Sequence, residues 1–133
     1  MKLTARCEYA MLALVHLGRQ QTERIVTVDE IARTQSIPIK FLEQIMLELK
    51  RGKLVRSSKG RRGGYQLAKT ADKITLAEVV RLFDGALAPT ESVSKHFYGP
   101  TPIEKENNLV DLFRRIRDCV AKILETTTLG DVL

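Results

Sequence analysis

Two groups of polar side chains have the types and spacing needed to read a polyanion. The first is the run Ser58-Lys59-Gly60-Arg61-Arg62-Gly63-Gly64. Adjacent arginines at a hairpin tip suit insertion into a narrow minor groove, where A·T tracts concentrate negative potential. Lys59, Arg56 and Ser58 suit phosphates, contacts that position a protein without reading sequence. Gly63 and Gly64 permit close backbone approach and positive φ. The second group is Lys40, Glu43 and Gln44, on the side of an expected helix opposite Ile45 and Leu49. Gln44 has the geometry to pair with adenine, Glu43 can accept from cytosine N4, and Lys40 can reach guanine or a phosphate. Phe41 stands between two roles, core residue or contact to a thymine methyl. The plainer reading of both groups is a solvated surface; charge concentrated on a hairpin tip argues against it.

The elements that must hold these groups follow from periodicity. Phe41, Leu42, Ile45, Met46 and Leu49 recur at three- and four-residue spacing, so they share one helical face. Pro38 is expected at the first helical position, and Gly52 offers a left-handed stop after Lys50 and Arg51. Leu54–Ser57 and Tyr65–Leu67 are short β-prone runs around the basic loop. Upstream, Tyr9, Leu12, Ala13, His16 and Leu17 predict a helix over residues 5–20 that closes near Gly18. Arg24–Val26 is a short strand candidate able to pair with the hairpin. Thr27 and Glu30 match a capping box opening a short helix that runs to Gln35. Thr75 and Glu78 form a second such box, opening a helix to about residue 84. Residues 86–103, with three of the four prolines, read as loop. Leu109, Leu112, Phe113, Ile116, Cys119, Val120 and Ile123 then mark a long amphipathic helix from about residue 104 to 126. At some 22 residues it spans about 33 Å, more than its own domain can cover, so a second subunit is expected on it. The fold class is mainly α with a small β-hairpin wing. It divides into a winged helix-turn-helix domain (1–85), a loop (86–103) and a dimerisation helix with its tail (104–133).

Charge agrees with this division. Residues 1–70 carry 14 Lys/Arg against 6 Asp/Glu, residues 71–133 carry 8 against 10, and the whole chain is +6. A basic N-terminal half suits a polyanion and a near-neutral C-terminal half suits self-association. No membrane contact is expected, since no apolar run is long enough to span one. The acid in Cys7-Glu8-Tyr9 breaks any signal-peptide pattern, which points to the cytoplasm. Two histidines, His16 and His96, cannot assemble a triad, and no P-loop, GxSxG or metal-ligand cluster is present, so an enzyme is not expected. Binding to RNA, or to protein alone, are the competing readings. The deep RNA major groove excludes a helix, and a pure protein module has no use for Arg61-Arg62.

The segments MKLTARCEYAMLAL, FLEQI, LVRSSKGRRGGYQLA, ITLAEVVRLFDG and TTLGDVL together resemble the Rrf2 family of bacterial winged-helix transcriptional regulators. The resemblance leaves residues 86–108 unmatched. It implies a homodimer held by antiparallel long C-terminal helices, acting on a partly palindromic operator in double-stranded DNA; repressor is the expected role with activator the alternative, and an effector or partner protein is still to be assigned. A two-fold duplex site requires a two-fold protein. Many family members hold an iron–sulfur cluster on three cysteines in the loop before the long helix. Residues 86–108 here contain no cysteine, so the chain resembles the branch without a cluster and no cofactor is expected. Glu8 falls where some members offer a carboxylate ligand. Cys119, on the expected seam, could form an intersubunit disulfide on oxidation. Against the family pattern, Lys53 stands where glycine is common and Pro38 replaces a serine cap.

Overall fold

The structure is a computed structural model and describes residues 1–21, 23–60 and 63–133. These residues form α1 (Ala5–Gly18), α2 (Val28–Gln35), α3 (Ile39–Arg51), β1 (Val55–Ser58), β2 (Gly64–Leu67), α4 (Leu76–Phe83) and α5 (Asn107–Thr126). The mainly α fold with one antiparallel hairpin is the expected one. In the hairpin Val55 pairs with Leu67 and Ser58 with Gly64.

The core gathers around α3. Leu42, Ile45, Met46 and Leu49 are fully buried against Cys7, Ala10, Ala13 and Leu14 of α1. The buried stripe of α1 keeps Ala13, His16 and Leu17 as expected, but Leu12 is 37% exposed, and Cys7, Ala10 and Leu14 are shut in instead. Helix α1 touches α2, α3, α4, the hairpin and the C-terminal tail, and packing on so many sides erases the amphipathic signal.

Four local expectations are corrected. Pro38 is the N-cap of α3, its carbonyl accepting from Leu42 N at 2.9 Å, and Ile39 is the first helical residue. Gly52 is not left-handed (φ −76°); it completes the last turn, and Lys53 takes φ +61°. Lys53 N donates to Lys50 O at 3.0 Å and Leu54 N to Leu49 O at 3.0 Å, a Schellman arrangement closed by the buried Leu49 and Leu54. The glycine one position earlier leaves room for Leu82, whose Cδ2 would lie 2.7 Å from a Cβ at residue 52. Third, Thr27 Oγ1 accepts from Glu30 N at 3.1 Å, but the Glu30 carboxylate does not close the box. It accepts from Arg24 at 3.0 Å and meets His16 Nε2 at 2.8 Å, tying α1, the link and α2 together. The Thr75–Glu78 box does close on both sides.

The fourth correction concerns the C-terminal part. Helix α5 begins at Asn107, after a 3-10 turn over Pro102–Lys105. The span before it is loop, as expected, and is fastened: a 3-10 turn covers Glu91–Val93, Thr101 Oγ1 donates to Ser92 Oγ at 2.6 Å, and Arg117 Nη1 donates to Val93 O at 2.7 Å. The tail docks on the N-terminal domain, with Thr75 bridged to Thr128 and Leu129 buried in the common core beside Ala121. One core thus spans the boundary expected at residue 85.

Two outcomes test this description. Lys53→Gly removes a left-handed strain and should stabilise the fold by about 1 kcal/mol, read as a rise in the urea midpoint at unchanged slope. Arg24, and then His16, hold the Glu30 carboxyl down at about 2 from an ordinary 4.5. A depressed carboxylate contributes stability above its unfolded value and loses it as pH falls towards the folded one. Stability should therefore drop between pH 4.5 and 2, and Glu30→Gln should be weaker at neutral pH but flatter across that window.

Candidate nucleic-acid interface

Burial of the α3 stripe turns Lys40, Glu43, Gln44 and Leu47 outward, one exposed face at helical spacing. Helix α2 ends with Ser36 left-handed (φ 55°), which makes the sharp turn that sends α3 off in a new direction. The hairpin follows α3 directly through the Schellman turn. It is stitched to the link before α2 by Tyr65 N to Val26 O at 2.7 Å and Val26 N to Tyr65 O at 2.9 Å. The expected strand at residues 24–26 is thus a single antiparallel bridge. It requires glycine at residue 64, because a Cβ there would run into the Val26 carbonyl.

The start of α3 and the hairpin line one groove. Its walls include Ile39 and Glu43 of α3, Ser57 and Ser58 of β1, and Gly63 and Tyr65 beside them. The Glu43 carboxylate lies near enough to Tyr65 that, after burial, it helps push the phenol above its ordinary 10.0. Glu43, Ser58 and Gly63 are therefore brought together, with Lys40 and Gln44 exposed on the same helix. Lys59 is exposed at the tip, where Gly63 N donates to Gly60 O at 3.0 Å. Arg61 and Arg62 lie outside the described residues.

Two expected site residues stand elsewhere. Phe41 is half-buried, stacked edge-on against Tyr9 with ring centroids 5.6 Å apart, and so belongs to the core side of α3. Arg56 alternates with Ser57 along β1 and lines a separate cavity on the other side of the hairpin. Sequence reasoning missed Ile39, Thr27 and Asp29, which line the groove. Ile39, like Leu47, was detectable as an apolar residue that the α3 stripe does not use.

The expected seam residues of α5 divide. Leu109, Leu112, Ile116 and Ile123 are 43%, 45%, 39% and 58% exposed, and Cys119 is exposed with them. Phe113 and Val120 are half-buried, on the side where Ala121 is buried and Leu124 packs on the core.

Three helices with the third presented outward, followed by a two-stranded hairpin, define a winged helix-turn-helix protein. The Rrf2 profile, described as an iron-dependent transcriptional regulator, matches residues 3–133. The chain belongs to the Rrf2 family of transcriptional regulators. A candidate HTH-type transcriptional regulator of Mycobacterium tuberculosis is 38% identical over 135 residues, covering 99% of this chain and 81% of the relative. CymR of Bacillus subtilis, an HTH-type transcriptional regulator, is 30% identical over 132 residues, covering 99% and 89%. The solved structure of CymR, named as that organism's global cysteine regulator, superposes with a TM-score of 0.79 at 29% identity, covering 99% and 95% of the two chains. These relatives are regulators, not enzymes.

A cluster needs several thiolates converging on iron. Cys7 is fully buried inside α1, and burial, then the neighbouring Asp84 carboxylate, push its thiol up to about 12. Cys119 is exposed on α5, and among the described residues no three His, Cys, Asp or Glu side chains gather as a metal site. Among the described residues of the single chain, the thiolates do not converge on a common position for iron. In a Cys119→Ser chain the remaining thiol should react with a disulfide reagent only at the rate of global unfolding; rapid labelling in native buffer would contradict the burial of Cys7.

Proposed function

We propose that the chain is a sequence-specific, double-stranded-DNA-binding repressor that acts as a cytoplasmic homodimer on a partly palindromic operator, without a cluster cofactor. The observation that carries it is the shared groove: the outward face of α3 and the hairpin belong to one continuous surface. In the proposed complex the α3 face enters the major groove, with Gln44 and Glu43 on base edges and Lys40 on a base or phosphate. The hairpin follows the adjacent backbone, with Lys59 and Ser58 on phosphates and Arg61 and Arg62 entering the minor groove.

The dimer reading is supported by α5. Leu109, Leu112, Ile116, Cys119 and Ile123 follow one another at spacings of three and four, the seam pattern of paired helices. Leu109, Leu112, Ile116 and Ile123 are only part-covered, and each forfeits roughly half of the about 1.5–3 kcal/mol that full burial gives, so a second copy covering the stripe is favoured. The near-neutral charge of residues 71–133 puts little repulsion in its way.

Genomic footprinting supplies the operator, and three substitutions then test the reading. Gln44→Ala should cost about 1–3 kcal/mol at one base pair and leave the others unaffected. Lys59→Ala should weaken binding to every duplex and reduce the log–log salt slope by about 1. Ile116→Glu should keep the helical circular dichroism, sediment as a monomer and lose most operator affinity. A wild-type monomer at micromolar concentration, or equal affinity for random duplex at physiological salt, would overturn the proposal.

A further inference from the structure

On the other side of the hairpin lies a cavity of about 300 Å³, between the end of α1, the link after it and the base of the wing. Among the described residues, Arg24, Arg56 and Lys69 line it with the amides of Gln20 and Gln66, while Glu30 and Glu78, which pair with Arg24 and Lys69, stand outside the lining. Leu17, Leu67, Ala68 and Ala71 supply an apolar part.

Each cation is already held in place by a neighbour. Arg24 donates to Glu30 at 3.0 Å, Lys69 Nζ to Glu78 at 2.7 Å, and Arg56 Nε to the Gln66 amide oxygen, turned to accept it, at 2.7 Å. An arginine carries five N–H donors and a lysine three, so all three retain donors after these bonds. Pre-positioned donors lower the ordering cost of capturing a ligand. The volume is at the small end of ligand sites, and the mix of apolar wall and few polar groups is the usual one.

We propose that this cavity binds a small aliphatic carboxylate, its head on Arg56 and Lys69 and its body against Leu17, Leu67 and Ala68. A DNA phosphate fits less well. Arg56 and Gln66 stand on the hairpin face opposite Ser57 and Tyr65, away from the recognition groove, and a phosphate has no apolar body for the leucines. The occupant bridges the end of α1 to both strands of the wing. If the operator-binding reading holds, the occupant stiffens the wing from the face that does not meet the duplex.

Binding is read without DNA, so failure of the operator reading leaves this test intact. The isotope-labelled full chain is titrated with propionate, succinate and glutamate against sodium chloride at matched ionic strength. Saturable amide shifts are expected at Gln20 and across Gln66–Thr70 with at least one of them. Lys69→Met should weaken that binding about tenfold or more, the loss of one charge-assisted hydrogen bond. Arg56→Met should do the same, and because Arg56 is exposed this variant keeps its fold. Shifts no larger than those with chloride, equal shifts in both variants, or perturbation of these amides by operator DNA alone would each overturn the proposal.

Discussion

The burial of four α3 side chains sets the rotation of that helix, and most of the functional surface follows from it. Leu42, Ile45, Met46 and Leu49 have no exposure at all. Turning α3 by one residue's angle would bring such groups into water at about 1.5–3 kcal/mol each, comparable in sum with the whole stability of a small domain. Lys40, Glu43 and Gln44 therefore have one possible orientation. The constraint passes directly to the hairpin, because Leu49 is also the residue whose carbonyl receives Leu54 N and whose side chain is buried with it. The helix and the hairpin are thereby locked in register through a turn of three residues, Gly52 to Leu54. The Val26–Tyr65 bridge then fixes the hairpin's swing against the segment leading into α2.

Helix α1 and the C-terminal tail act as the block against which this unit is set. Ala10 and Ala13 are fully buried, and their small side chains let neighbouring elements approach closely. The α1–α2 connection through Glu30 holds the first helix of the pair against α1. Helix α5 contributes differently on its two sides. Ala121 and Leu124 fasten one side to the common core, and Arg117 ties it to Val93, while the opposite stripe of large apolar residues is left without a partner in the single chain.

What could be read from the sequence divides along physical lines. The α3 stripe, the hairpin, the Thr75–Glu78 box and the α5 pattern are local periodicities, and a period is visible without any partner. The failures all involve a partner distant in sequence or a choice between adjacent residues. Glu30 satisfies the capping-box pattern, yet His16 and Arg24 attract its carboxylate more strongly than one backbone N–H. Gly52 is the residue that tolerates positive φ, but the helix runs one residue further and Leu82 needs the space, so Lys53 takes the strain. In α1 nearly every residue is apolar, so periodicity could not choose between Leu12 and Cys7 as the buried position. The carboxylate cavity had no signature, because its walls come from residues 17–24 and 56–71, which only the fold brings together.

The placement of charge separates two tasks that a basic composition alone would merge. Among the described residues the lining of the groove between α3 and the hairpin holds no cation: Asp29 and Glu43 line it, with hydroxyls, glycine backbone and apolar groups beside them. The cations stand around it, with Lys40 on the helix face and Lys59 at the tip. Acids facing a phosphate would repel it, but a carboxylate is a useful acceptor for a base amino group and penalises a base that offers only acceptors. In the proposed complex the perimeter supplies salt-sensitive attraction common to all duplexes, and the acidic groove discriminates among them by making wrong base pairs costly. Removing Glu43 should for that reason tighten binding to unrelated DNA while narrowing the preference for the operator, the opposite of what loss of a simple attractive contact would produce.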